Sequence, residues 1–477
     1  FIGMKSQEFL VGSKTTVDVV MEEDLYGIEE VVAVGYGTMK KQAVTGAVIE
    51  ANLELYKVVP VNNILETVKG SIAGLNIDGI NKAGEVAEIN IRGQNSTEAA
   101  SNSPLIVLDG AIYNGSLGDI PTDDIENFTV LKDASAAAVY GSRSANGVII
   151  VETKKGDGIN GKPKFDVKLS YGVSDMLEPL DIYDAGGYIK RLLDIRKIQG
   201  VEADPNKVAF YLQTEEAKNY NATPDHKPTL EDPFGLISQL GYNFNTTVSM
   251  SNKTDKNSYY ISASMVNQRG VVLNDEYKHF SGRVNIDSDL TDWFSLGIKS
   301  SYSLRDYSGD AANMYWSVQL SPYASIYNED GSYREFPQTS TSVISPFWQM
   351  ATDDVNISNN LNGAITGTIT IPWIKGLTFQ TIFSNNLQWT ERNWFYDENT
   401  VEGLAKNGIG QRAFFKTYDM LFDNMLKFNR VFNEIHSVDV TLLYSREHSV
   451  WEDLSGYATN FDNTVLGTYG SRHIYLQ

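Results

Sequence analysis

From Lys164 onward the chain alternates apolar and polar residues with a period of two, and no other feature narrows its possible folds as far. In KFDVKLSYGV, Phe165, Val167, Leu169, Tyr171 and Val173 fall on one face, and Asp166, Lys168, Ser170 and Gly172 on the other. The pattern returns at 244–251, 259–265, 280–287, 294–304, 361–371, 377–389, 420–428 and 438–444. That makes about nine strands close to the ten-residue length that crosses a bilayer at a tilt. The connections alternate as well: those after Asn252, Asp287, Ile371 and Arg430 are short, and those after Val173, Val266, Leu304, Trp389 and Arg446 are longer. Short turns at one end and long loops at the other describe a transmembrane antiparallel β-barrel. A soluble β-sandwich shares the period but not the strand length or the alternating connections.

No run reaches the roughly 18 apolar residues of a membrane helix, and the mean hydropathy is -0.26. Neither fact opposes a barrel, whose strands average lipid-facing with lumen-facing residues. Trp293, Trp373 and Trp389 fall near predicted strand ends, where membrane-interface and packing roles are both open. The net charge of -21 argues against nucleic acid as a partner. The chain has no cysteine, so thiolate catalysis, disulfides and cysteine metal sites are excluded. Its five histidines, at 226, 279, 436, 448 and 473, lack close metal-ligand spacing. No catalytic constellation is recognisable, and neither an enzyme nor a cofactor is expected.

Before Lys164 the sequence is different in kind. In residues 121–156, PTDDIENFTVLKDASAAAVYGSRSANGVIIVETKKG, Pro121 and the acidic pair Asp123–Asp124 suit a helix start. Phe128, Val130 and Leu131 suit a strand, Asp133 a cap for a helix over 134–140, and Gly141 a left-handed stop. The β-branched run from Gly147 suits a strand buried on both faces. Asp109-Gly110 suits a turn.

This segment resembles the end of the plug domain of SusC-like (SusC/RagA family) TonB-dependent outer-membrane transporters. The resemblance extends through EEVVAVGYGTMKKQAVTGAV (29–48), ILETVKGSIAGLNI (64–77), INIRGQNS (89–96) and PLIVLDGAI (104–112), in the family's order. It implies a mainly β protein, a barrel of about 22 strands with an α/β plug in its lumen. The expected divisions are 1–24, a remnant of a carboxypeptidase-regulatory-like β-sandwich; 25–39, a TonB-box-like linker; 40–156, the plug; and 164–477, the first part of the barrel. Both ends are expected to be truncated.

The implied function is TonB-dependent import of an oligosaccharide or peptide across the outer membrane, with a SusD-like surface lipoprotein as lid and the plug side facing the periplasm. A dimer of transporter–lipoprotein pairs is one assembly the family allows. Glu29, Glu30, Val31, Val32, Ala33 and Val34 correspond to the TonB box, where an extended strand must pair with a sheet edge; a strand ending the preceding sandwich is the other reading. Asn95, Ser96, Asn102, Tyr113 and Asn114, in turn-rich plug segments, are the expected ligand contacts, with turn formation as the alternative for each. Arg92 and Arg143 are expected to anchor plug to barrel, since arginine suits buried carboxylate pairs. Two other functions remain open: a secreted or surface β-rich glycan-binding or structural protein without transport, and a TonB-coupled signal transducer. The amphipathic pattern over 183–200 predicts a helix that packs on neighbouring loops or docks a partner.

Overall fold

The computed structural model describes residues 31–34, 37–40, 48–53, 63–79, 82–93, 96, 102–133, 138–157, 161–177, 182–339, 342–398, 400–433, 436–462, 467–468 and 471–476. The expected remnant at 1–24, Glu29, Glu30 and Asn95 therefore lie outside the described residues.

Short elements come first. β1 (Val31–Val34) pairs antiparallel with β2 (Gly37–Lys40), Val32 opposite Met39. β3 (Val48–Glu50) is followed by the helix Ile64–Val68, whose first turn is capped by Asn63 Oδ1 accepting from the Leu65 N–H at 3.0 Å. Next come β4 (Leu75–Ile77), β5 (Ile89–Ile91), β6 (Leu105–Leu108), β7 (Ala111–Ile112), β8 (Ile125–Leu131) and β9 (Val148–Thr153). One sheet has the order β3-β8-β9-β6-β7, with β6 and β9 parallel, while β4 and β5 pair separately.

The apolar run in β9 explains its place. Ile149 and Val151 join the cluster of Ile64, Leu65, Val68 and Phe128, whereas Val148 and Ile150 join Val107, Leu131 and Tyr140. A strand buried on both faces belongs inside a sheet. Gly141 has a positive φ, +66°, but with ψ -149° it forms a kink inside the segment Ala138–Ser144 rather than a left-handed stop. Pro121 starts only a 3₁₀ turn, Thr122–Asp124, and of the helix expected over 134–140 only a 3₁₀ segment from Ala138 is described.

The second unit is one ten-stranded antiparallel sheet in sequential order. Its strands are β10 (Lys164–Ser174), β11 (Gly241–Lys253), β12 (Asn257–Arg269), β13 (Glu276–Thr291), β14 (Phe294–Asp306), β15 (Asp353–Thr370), β16 (Leu377–Tyr396), β17 (Ile409–Phe432), β18 (His436–Phe461) and β19 (Ser471–Leu476). The alternation sets the register as expected. Tyr260, Ser262, Ser264, Ser281, Arg283, Asn285, Ser303 and Arg305 are buried on the face toward the small domain, while Phe165, Leu169, Ile261, Phe280, Ile298 and Leu442 are exposed on the opposite face. Within the described residues β10 and β19 are the edges, so the sheet is an open wall curved over one side of the small domain.

The strands expected of the wall, about nine, are present, and β19, which carries no apolar alternation long enough to stand out, is a tenth. One expectation about the connections needs correction. The connection after β12 is the tight segment 270–275, not a long loop, because the strand pairing runs on through Arg269 opposite Glu276. Likewise β15 begins at Asp353 and β18 runs to Phe461, since backbone pairing continues through polar residues that give no apolar signal.

The long connections 175–240 and 307–352 lie at one end and share a core of Ile237, Val272, Leu320, Ala324 and Phe347. The helix expected over 183–200 is Ala185–Ile198, capped by Asp184. Of its apolar residues only Leu193 is buried, and Ile198 is 86% exposed. At the other end are the short turns, where Trp293 and Trp373 are exposed.

With Ile298 on the outer apolar face and Thr368 on the inner face, Ile298→Arg in the full-length protein is expected to destabilise the membrane-embedded state by about 2–4 kcal/mol near the midplane. Thr368→Arg, beside an open cavity, should do so by clearly less. Reversible unfolding in lipid vesicles measures both, and equal losses would contradict the assigned faces.

Candidate functional site

The small domain meets the wall through four aspartates, and the sequence places each at a turn. Asp109 and Gly110 form the two-residue link between β6 and β7, both at positive φ (52° and 89°), the geometry that an Asp-Gly hairpin supplies. Asp119 closes the 3₁₀ turn Leu117–Asp119, and Asp123 and Asp124 lie in the next one. All four point at cations on inward-facing positions of the wall.

Arg283 of β13 lies between two of them. Its Nε is 3.3 Å from Asp124 Oδ2 and its Nη1 3.9 Å from Asp109 Oδ2, and all three side chains are at most 5% exposed. The Tyr260 hydroxyl donates to Asp124 Oδ1 at 2.9 Å. Thr153 donates to Asp109 through its N–H at 2.8 Å and its hydroxyl at 2.7 Å, and Asn285 Nδ2 donates in turn to Thr153 Oγ1 at 2.9 Å and to the Lys154 carbonyl at 2.8 Å. Lys299 of β14 is 3.6 Å from Asp109. Burial pushes the Asp109 carboxyl up, but Lys299, Arg283 and the two Thr153 bonds outweigh it and hold it below its ordinary value. A lowered folded value stabilises docking above the unfolded value, and that contribution fades as the pH falls through the folded one.

Two further ties flank this node. Arg305 Nε lies 2.9 Å from Asp119 Oδ1, and Asp119 Oδ2 accepts from the Tyr113 hydroxyl at 2.9 Å. Nearer solvent, Lys168 of β10 reaches Asp123 at 2.7 Å. At the long-loop end the Ala83 N–H donates to Asp275 and the Gly84 N–H to Gln268. Gly84 (φ +68°) lies so close to the Tyr277 ring that a Cβ there would be 2.1 Å from it.

The expected site residues divide. Arg143 makes an ion pair with Glu447 of β18, across the domain boundary. Arg92 does not reach the wall: it pairs at 2.5 Å with Asp133 inside the small domain, because its backbone is turned into the left-handed region (φ 60°) at the end of β5. Tyr113 is corrected as a ligand contact, since its ring is buried and its hydroxyl is committed to Asp119; burial and that charge raise its pKa well above normal. Ser96 and Asn102 bond each other, the Ser96 N–H to Asn102 Oδ1 at 2.7 Å and Asn102 Nδ2 to the Ser96 carbonyl at 2.8 Å, with Asn102 buried. Asn114 is exposed and borders a crevice against β15–β18. The anchors that sequence reasoning missed are wall cations paired with carboxylates of the small domain. Their signal was present: Lys168, Arg283, Lys299 and Arg305 are charges at inward positions of strands whose other face is apolar.

Among the described residues no cluster of histidine and acidic side chains could hold a metal ion.

Replacing Arg283 with Met leaves buried Asp124 without its cation and Asp109 with Lys299 alone, a loss of about 3–5 kcal/mol by analogy with broken buried pairs. We expect easier displacement of the small domain, read as faster proteolysis in native membranes, with part of the loss recovered in Arg283→Met/Asp124→Asn. Gly84→Ala should loosen the same docking at the long-loop end, and Tyr277→Ala in the same chain should partly restore it. Unchanged proteolysis in the single variants would deny these contacts their holding role.

The comparisons agree with this geometry. Residues 40–148 match the family model of the TonB-dependent Receptor Plug Domain. The chain is 32% identical over 396 residues to TonB-dependent receptor P26 of Formosa agariphila, covering 81% of this chain and 38% of that protein. It is 29% identical over 388 residues to TonB-dependent receptor SusC of Bacteroides thetaiotaomicron, covering 76% and 35%. It therefore spans well under half the length of these curated relatives. Among solved structures, the RagAB peptide importer in its open-open state superposes with a TM-score of 0.74 at 23% identity, over 94% of this chain and 53% of that one, a likeness of fold. These likenesses take in both the docked small domain and the strands that hold it, so the chain is similar to the plug and the adjoining wall of SusC-like TonB-dependent receptors.

Proposed function

We propose that this chain supplies the plug and part of the barrel wall of an outer-membrane importer, driven by TonB, that takes up an oligosaccharide or a peptide beneath a SusD-like surface lipoprotein. The observation that carries this reading is the two-faced wall. An outer apolar face requires lipid, and an inner face of serine, asparagine and arginine holds a folded domain by hydrogen bonds and ion pairs. A secreted glycan-binding protein has no use for an outer row such as Phe165, Val167, Leu169 and Tyr171, all more than 60% exposed. In this reading the short turns face the periplasm and the long loops the outside, the usual arrangement of an outer-membrane barrel.

Residues 25–39 are the coupling segment in this reading. Among the described residues β1 pairs with the equally short β2 over four residue pairs. So few pairs are readily exchanged for a partner's sheet edge, which offers the same main-chain bonds. Ligand recognition falls to Asn114 and the long loops, with peptide and oligosaccharide as the candidates suggested by the RagAB and SusC likenesses.

Uptake of fluorescent oligosaccharides and oligopeptides by cells expressing the full-length protein tests this. Val32→Pro removes a donor and fixes φ and should abolish TonB-dependent uptake with surface binding intact, whereas Val32→Thr should preserve it. Uptake that survives both Val32→Pro and deletion of 29–34 would overturn the coupling assignment.

A further inference from the structure

The plug is held unequally around the wall. Toward β10–β14 it is tied by Lys168–Asp123, Arg283–Asp124, Lys299–Asp109 and Arg305–Asp119, and by the Asn285 and Tyr260 hydrogen bonds. Toward β15–β18 the one ion pair among the described residues is Arg143–Glu447. There the contact is a small apolar seal in which Ala111 and Ile112 of the β6–β7 hairpin pack on Ile382, Leu421 and Met425.

The surface on either side of this seal is hydrophilic. Toward the short turns a cavity of about 510 Å³ separates plug from wall; Gly110, Thr366, Thr368, Gln380 and Lys427 border it beside the seal, and residues at the short-turn ends of β11–β14, Lys256, Asp287 and Ser295 among them, border the rest. Toward the long loops lies a crevice bordered by Asn114, Asn386, Asp419 and Glu447. Whole polar groups along this wall have no hydrogen-bond partner in the protein: both amide atoms of Asn386, 4% exposed, and both carboxylate oxygens of Asp423, fully buried. Buried groups of this kind require water or a ligand. On the tied flank the hydroxyls of Ser262 and Ser281, Arg283 Nη2, Arg305 Nε and Asn285 Oδ1 also lack hydrogen-bond partners, but there ion pairs close the interface around them.

We propose that the ligand's route into the periplasm runs along β15–β17, with the β6–β7 hairpin as its gate, while the β10–β14 flank stays docked as the hinge side. Opening it separates a few apolar contacts and one ion pair, whereas opening the other flank would strip buried carboxylates of their cations. The route suits a neutral ligand rich in hydroxyl or amide groups, which the asparagines can serve in turn. This inference rests on the transport reading above.

The test uses the full-length transporter in cells, without other cysteines, and a small cationic methanethiosulfonate as probe. Single cysteines go at Ser384→Cys and Asn386→Cys on the proposed route, and at Ser262→Cys and Ser281→Cys on the tied flank; all four native residues are buried. Energised cells supplied with the transported oligosaccharide or peptide mixture should label Ser384→Cys and Asn386→Cys several-fold faster than de-energised or TonB-lacking cells, with the tied-flank pair unchanged. Equal acceleration at all four, or acceleration only at Ser262→Cys and Ser281→Cys, overturns the route. No acceleration anywhere overturns the route if TonB-dependent uptake is intact, and the transport reading if uptake is also absent. Acceleration at Ser384→Cys and Asn386→Cys that persists without TonB leaves the gate standing and removes the coupling.

Discussion

Everything about how the plug sits depends on the Arg283 guanidinium, buried between carboxylates that belong to another domain. Charges are tolerated so far from water only when paired and hydrogen-bonded. Asp109 and Asp124 are nearly sealed from solvent, so their burial makes sense only with the wall in place. The network extends through Thr153, Asn285 and Tyr260. Its value lies less in net stabilisation than in the cost of a wrong fit, because a plug displaced by a residue's length would leave several charges unmatched.

This arrangement suits a part that must be both firmly seated and removable. A purely apolar interface would hold through area and release gradually. A network of ion pairs holds through geometry, and once its members separate water can solvate each of them. The unequal distribution of the ties then gives the plug a direction in which it moves most easily, toward the side sealed by Ala111, Ile112 and their wall contacts.

The site residues show how far sequence reasoning reaches. Arg143 met a carboxylate on the wall, as its residue type suggested, while Arg92 found Asp133 in its own domain. Tyr113 lies in a polar, turn-rich stretch and looked available, yet a single bond to Asp119 draws it inside. Turn composition marks where the backbone bends but not which way a side chain then points. The aspartates at Asp109, Asp123 and Asp124 were legible as turn residues, and their second role as anchors was invisible because the partners lie 45 to 190 positions away in the chain.

By itself the sequence determined the wall: its period of two, its two faces and most of its strands, because each strand must satisfy lipid on one side and a polar interior on the other at every second residue. It also determined β9, where a run of β-branched residues leaves few choices. Only the tertiary structure decided which inward cation meets which turn carboxylate, which flank is tied and which merely sealed, and how far β15–β18 continue past their apolar stretches. Those outcomes follow from long-range pairing and curvature, which bring together residues whose separation along the chain carries no periodic signal.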